Sequence, residues 1–145
     1  MNMLDELYQE IILDHHKHPR CRGSIAEPDA QTKVFNPLCG DEVTVYIKVD
    51  QGKISDLKFE GKGCSISQAS ASIMTELCLG KSLEQVSNLH HEFDQMLKGA
   101  LDAEKHPELE DAVALEGVKN FPARVRCAII AWEALQNSIE SLPSN

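Results

Sequence analysis

The sequence predicts an α+β fold, a small antiparallel three-stranded sheet with helices packed on one face. Three observations carry this. Residues 43–50 alternate, with Val43, Val45, Ile47 and Val49 on one side and Thr44, Tyr46, Lys48 and Asp50 on the other; this is the period of a half-buried strand. Asp50-Gln51-Gly52-Lys53 reads as a hairpin turn, with Gly52 free to take positive φ. Segments before and after these strands repeat apolar residues at helical spacing, so helices and strands segregate along the chain.

Taken in order, Leu4, Leu7, Tyr8 and Ile11, widened by Ile12, predict an N-terminal helix that ends before Pro19. Residues 19–33 read as a loop leading into a strand whose end is Val34 and Phe35. Strand 43–50 is followed by a second at 53–60. There Leu57 and Phe59 alternate while Ile54 has the opposite parity, which predicts a bulge or a late strand start. Gly61, Gly63 and Cys64 then precede a helix over 66–79, with Ile66, Ala69, Ile73 and Leu77 as its stripe and Gly80 as its stop. Ser82 and Gln85 make a capping box for the next helix, which buries Leu83, Val86, Leu89, Phe93 and Leu97. Residues 99–119 are acidic and irregular, with a short helical turn near 108–114 at most. A last helix starts at Phe121-Pro122 and buries Val125, Ala128, Ile129, Trp132, Leu135 and Ile139. No repeat or linker interrupts the 145 residues, so residues 1–145 read as one domain.

Hydrophobic residues make up 42% and charged residues 26% of the chain, enough to bury a core without help from a metal. A formal net charge of −9 argues against nucleic-acid or anionic-membrane partners, whose phosphates would be repelled. The acidic start Met1-Asn2-Met3-Leu4-Asp5-Glu6 lacks a signal-peptide core, and no apolar run approaches the roughly 20 residues of a membrane helix. The expected location is the cytoplasm, where thiols stay reduced. Five cysteines, at 21, 39, 64, 78 and 127, then point to metal or sulfur chemistry over disulfides.

Cys39 and Asp41 lie in Asn36-Pro37-Leu38-Cys39-Gly40-Asp41, a tight turn entering the strongest strand. Cys64 lies where the second hairpin strand hands over to a helix. Hairpin pairing makes the start of one strand and the end of the other neighbours, so Cys39, Asp41 and Cys64 fall at the same end of the sheet. Cys127 sits early in the last helix, and periodicity does not bring it to the other three. A Cys₃Asp set would suit Zn²⁺; its charge near −2 would be offset by Arg124, Arg126 and the adjacent helix N-terminus. The plainer reading is that these cysteines are small buried hydrophobes. That reading suits Cys78, inside a helix; Cys21 reads as an incidental exposed thiol in a loop. His15, His16 and His18 form a second possible cluster, with His15 and His18 three apart on one helix face. The simpler account is a solvated helix end whose histidines favour the C-terminal dipole. His90 and His91 carry no ligand spacing.

Three stretches resemble the U-type iron–sulfur cluster assembly family, the IscU, SufU and NifU N-terminal group. They are Asn36-Pro37-Leu38-Cys39-Gly40-Asp41, Phe59-Glu60-Gly61-Lys62-Gly63-Cys64-Ser65-Ile66-Ser67 and Phe121-Pro122-Ala123-Arg124-Val125-Arg126-Cys127. The resemblance covers nearly the whole chain, from Asp14-His15-His16 and His18-Pro19-Arg20 to the last helix. It implies that Cys39, Asp41, Cys64 and Cys127 bind zinc or host a transient iron–sulfur cluster, and that a cysteine desulfurase (SufS/IscS-like) delivers sulfur as a persulfide. Scaffold-type IscU proteins carry histidine immediately before the last cysteine, where this chain has Arg126. They also carry a Leu-Pro-Pro-Val-Lys motif just upstream, where this chain reads Gly117-Val118-Lys119-Asn120-Phe121-Pro122. The long stretch between Cys64 and Cys127 is similar to the SufU insertion.

The resemblance therefore implies a SufU-like, zinc-dependent sulfur acceptor that works with a desulfurase and downstream iron–sulfur assembly proteins, and is not a stand-alone enzyme. Cys39 is the expected acceptor, because its turn should be more mobile and exposed than a helical Cys127. Asp41, a harder ligand, would tune lability, and Arg124 and Arg126 would hold an anionic persulfide. The alternatives are a scaffold for a nascent [2Fe–2S] cluster and a zinc-stapled binding module. A thiol oxidoreductase fits least, since no Cys-x-x-Cys occurs.

Overall fold

The structure is a computed structural model that describes residues 3–143. Helix α1 (Met3–Lys17) leads through a loop into strands β1 (Ala30–Asn36), β2 (Asp41–Asp50) and β3 (Lys53–Lys62). Helices α2 (Ser65–Cys78) and α3 (Leu83–Leu97) follow, then 3₁₀ segments at Ala103–Lys105 and Pro107–Asn120, then α4 (Pro122–Glu140). The strands form an antiparallel sheet in the order β1-β2-β3. Val43, Val45 and Ile47 of β2 and Leu57 and Phe59 of β3 are fully buried beneath α4 and α2, the one-sided layering expected for the fold.

The parity of Ile54 has its explanation in the ladder. Lys48 pairs with Asp56 and Val49 with Ile54, so the register shifts by one residue around Ser55. That bulge turns Ile54 to the side of Leu57 and Phe59, and all three are fully buried. The chain at Cys21–Gly23 lines the free edge of β3, where Phe59 donates its N–H to the Cys21 carbonyl at 3.0 Å and accepts from Gly23 at 2.8 Å. Cys21 is thus half-buried beside the sheet and not a freely exposed thiol.

Helix α2 is wrapped on nearly all sides, with every residue from Ser67 to Thr75 buried. Its small side chains let neighbouring helices approach, and their hydroxyls are satisfied locally. Ser70 donates to the Ala128 carbonyl at 2.6 Å and accepts from Trp132 Nε1 at 3.2 Å. Trp132 in turn stacks on Phe93 with ring centroids 4.4 Å apart. The capping box at Ser82 and Gln85 is present on both sides.

Three further expectations change. Residues 103–120 are not irregular: their 3₁₀ turns, kinked at Glu110, bury Leu109, Ala112, Ala114, Leu115 and Val118. The sequence hides this because a 3₁₀ run with a kink breaks the 3.6-residue repeat. In α1, Leu7 is exposed while Tyr8, Ile11 and Ile12 are half-buried; the side chain of Leu4, also assigned to that stripe, lies outside the described residues. His15 is not solvated. It is 1% exposed, with Nδ1 2.8 Å from Ser72 Oγ and Nε2 2.9 Å from Asp111 Oδ2. Of these three histidines, His16 and His18 project into solvent.

Candidate metal centre

The β1–β2 turn is built by Asn36. This residue ends β1, pairs with Asp41, and accepts the N–H groups of Cys39 (3.3 Å) and Gly40 (2.9 Å) on its main-chain carbonyl. Its side-chain Oδ1 accepts the Leu38 N–H at 3.2 Å. Gly40 sits at φ 71°, a conformation that lets the chain reverse directly after Cys39. Cys39 is left exposed at the turn and Asp41 is fully buried where the strand starts.

The β2–β3 ladder runs to Glu42 and Lys62, which delivers Cys64 beside Asp41 as the hairpin geometry predicts. The Cys64 N–H donates to Asp41 Oδ1 at 2.8 Å, and its Sγ lies 3.8 Å from Asp41 Oδ2. Cys64 is also the N-cap of α2, so the positive end of a helix faces the carboxylate. Gly63 makes this approach possible: at φ +143°, a Cβ there would press on the Asp41 carboxylate and lie 2.9 Å from Asp41 Cα.

The packing of α4 across β1 and β2 supplies what periodicity could not. Cys127, fully buried, has its Sγ 3.4 Å from Cys39 Sγ. The ligand atoms of Cys39, Asp41 and Cys127 all lie within 4.8 Å of one another, and Cys64 adjoins them through Asp41. Three of the four predicted residues therefore meet at one point, and Cys64 lies beside them. Cys78, by contrast, is fully buried in the core cluster, and burial pushes its thiol up to about 12. Arg126 pairs with Glu133 further along α4, and the Arg124 side chain is exposed.

Burial works against a charged Asp41, yet bonds from the Cys127 thiol, the Cys64 amide and thiol and the Ser67 hydroxyl outweigh it and hold the carboxyl below its usual range. The Cys127 thiol is pushed well up, by burial first and then by Asp41 and Cys39. Sulfurs packed this closely around a buried carboxylate cannot all be charged without a cation. The donor set fits such a cation: two thiolates around tetrahedral zinc stand roughly 3.8 Å apart, close to the 3.4 Å between Cys39 and Cys127. Sequence reasoning missed Asn36 and Ser67 as parts of this centre. The signal for the first was an Asn-Pro pair opening the turn.

Residues 7–128 match the family model described as NifU-like N terminal domain. The chain belongs to this family. It is 40% identical over 136 residues to the "Zinc-dependent sulfurtransferase SufU" of Bacillus subtilis, covering 94% of this chain and 91% of that protein. It is 38% identical to the "Iron-sulfur cluster assembly scaffold protein IscU" of Thermotoga maritima, covering 94% of each. Among solved structures, a putative iron-sulfur cluster assembly scaffold protein for the SUF system from Fervidobacterium islandicum superposes with a TM-score of 0.85 at 35% identity, over 92% of this chain and 97% of that one. A NifU-like protein (N-terminal) from Brucella abortus gives 0.85 at 29% identity, over 97% of each. The NifU-like family thus accounts for both the α+β fold and the order of the three motifs.

Proposed function

We propose that this chain is a zinc-dependent sulfur acceptor in iron–sulfur cluster assembly, taking sulfur from the persulfide of a cysteine desulfurase and passing it to downstream assembly proteins. The observation that supports this most is the uneven exposure of the sulfur cluster. Cys39 is exposed at the turn, whereas Cys127 and Asp41 are fully buried. Cys39, the most exposed sulfur, beside a half-buried Cys64 and a sealed Cys127, suits acceptance from a docked protein. Zinc held by Cys39, Asp41, Cys64 and Cys127 would keep the sulfurs as thiolates.

The Cys39 thiolate attacks the terminal sulfur of the donor persulfide. The donor's S–S bond breaks, its cysteine leaves as a thiolate, and the terminal sulfur remains on Cys39 with its proton. Arg124 is exposed and available to an anionic persulfide, while Arg126 must first leave Glu133. Arg126 in place of histidine, and the likeness to the Bacillus subtilis relative, favour this branch.

The test combines metal analysis of protein purified without oxygen with persulfide mapping by mass spectrometry after incubation with a desulfurase and L-cysteine. Zinc at one per chain and sulfur on Cys39 are expected; full sulfur loading of a Cys39→Ser variant would sink the acceptor assignment. The 38% identity to an IscU scaffold protein favours a second reading, in which the same residues carry a nascent [2Fe–2S] cluster as cargo. Anaerobic reconstitution with iron and sulfide separates the two, since a stable, transferable cluster belongs only to the scaffold. A purely structural zinc staple is less favoured because the hydrophobic core cluster is assembled without Cys39, Asp41, Cys64 or Cys127.

A further inference from the structure

We infer that Asn36 is the residue that decides which cysteine of the centre takes the sulfur, by holding Cys127 in place and leaving Cys39 free. The inference rests on the sulfur-acceptor reading and adds to it a division of labour between the sulfurs.

The geometry is specific. Asn36 is 2% exposed, and its side-chain amide is used at both ends. Oδ1 accepts the Leu38 N–H at 3.2 Å, while Nδ2 points at Cys127 Sγ, 3.9 Å away. The same residue's carbonyl anchors the amides of Cys39 and Gly40. Asn36 thus shapes the turn that presents Cys39 and also donates a hydrogen bond to the sulfur that Cys39 touches. An N–H donated to a thiolate draws off its charge density, which makes that sulfur a weaker nucleophile and a steadier ligand. Among the described contacts, the Cys39 sulfur meets only Cys127 Sγ and receives no such donor. Two chemically identical side chains, 3.4 Å apart, are therefore made unequal. Cys127 is buried and receives an amide N–H; Cys39 is exposed and accepts only from the Cys127 thiol. In the transfer, the S–S bond of the incoming persulfide breaks as a new S–S bond forms on Cys39. The donor cysteine departs as thiolate with the electron pair, and no net oxidation occurs.

Asn36 is a positioning residue, so its test must separate sulfur from turn. Asn36→Asp keeps the acceptor for Leu38 but loses the N–H donor; Asn36→Ala loses both. Wild type and both variants are incubated with a desulfurase and L-cysteine, and persulfide on the Cys39 and Cys127 peptides is quantified. Wild type should load Cys39 predominantly. In both variants the Cys39:Cys127 ratio should fall by roughly fivefold or more, the weight of one ordinary hydrogen bond. An Asn36→Asp ratio equal to wild type would overturn the inference and leave Asn36 as a turn residue alone.

A measurement that needs no variant stands beside this. Wild type loaded with NMR-active cadmium should show a coupling from the metal, through the Cys127 sulfur, to the Asn36 side-chain amide proton. A loaded protein without that coupling also overturns the inference. Failure of wild type to bind metal or accept sulfur is a different result: it removes the acceptor reading, and this inference with it.

Discussion

The main-chain N–H of Cys64 donates to Asp41 Oδ1 at 2.8 Å, tying the end of one strand to the start of another through a buried carboxylate. The bond joins one proposed ligand to the backbone of another, so the position of Asp41 is inherited directly from the sheet register. It also requires the chain to pass very close to Asp41 at Gly63.

Gly63→Ala should therefore damage the centre more than the fold. The new Cβ would sit 2.9 Å from Asp41 Cα and against its carboxylate, at a backbone angle of φ +143° that side chains rarely adopt. A stability loss of about 1–3 kcal/mol is expected, with bound zinc falling well below one per chain. Thermal melts and metal analysis of the purified variant check both.

Asp41 should contribute to the acid limb of stability in metal-free protein. Its folded carboxyl lies below its ordinary value, so the folded state favours the ionised form. That contribution is present above the unfolded aspartate range and is lost as pH falls through the folded value. Urea midpoints at pH 6 and pH 3 should differ more for wild type than for Asp41→Asn. Equal differences would place the acid sensitivity elsewhere.

Cys78 should be chemically silent. A thiol pushed up to about 12 and fully buried has almost no thiolate at neutral pH. Alkylation of native metal-free protein at pH 8 should label Cys39 quickly and leave Cys78 unmodified until denaturant is added. Cys78→Ala should cost about 1 kcal/mol through the small cavity it leaves, without changing metal content.

His15 should matter for stability and not for metal. It joins α1 to α2 through Ser72 and to the 3₁₀ segment through Asp111. Removing it leaves a cavity and takes away one of two partners of the Ser72 hydroxyl, which keeps the Arg20 N–H, so His15→Ala should lower stability by about 2–3 kcal/mol. Chemical denaturation would show this, with zinc content unchanged.

The hairpin was legible because its period, turn and bulge are local: alternation over 43–50, Gly52 at the turn and the parity of Ile54 each depend on a few neighbouring residues. The same locality put Cys39, Asp41 and Cys64 at one end of the sheet. The segment 103–120 was misread because its buried residues follow 3₁₀ turns broken at Glu110, a pattern with no clean repeat. His15 was misread because its partners lie 57 and 96 residues away.

By itself the sequence determined the α+β order, the hairpin register and three residues of the centre, since hydrophobic period and turn chemistry act between near neighbours. The tertiary structure alone decided that Cys127 meets Cys39, because that contact depends on how α4 lies across the sheet. It likewise decided that Asn36 faces a sulfur and that Cys39 stays exposed while Cys127 is sealed. Burial and donor direction are properties of packed surfaces, and a motif names candidate ligands without saying which of them the solvent can reach.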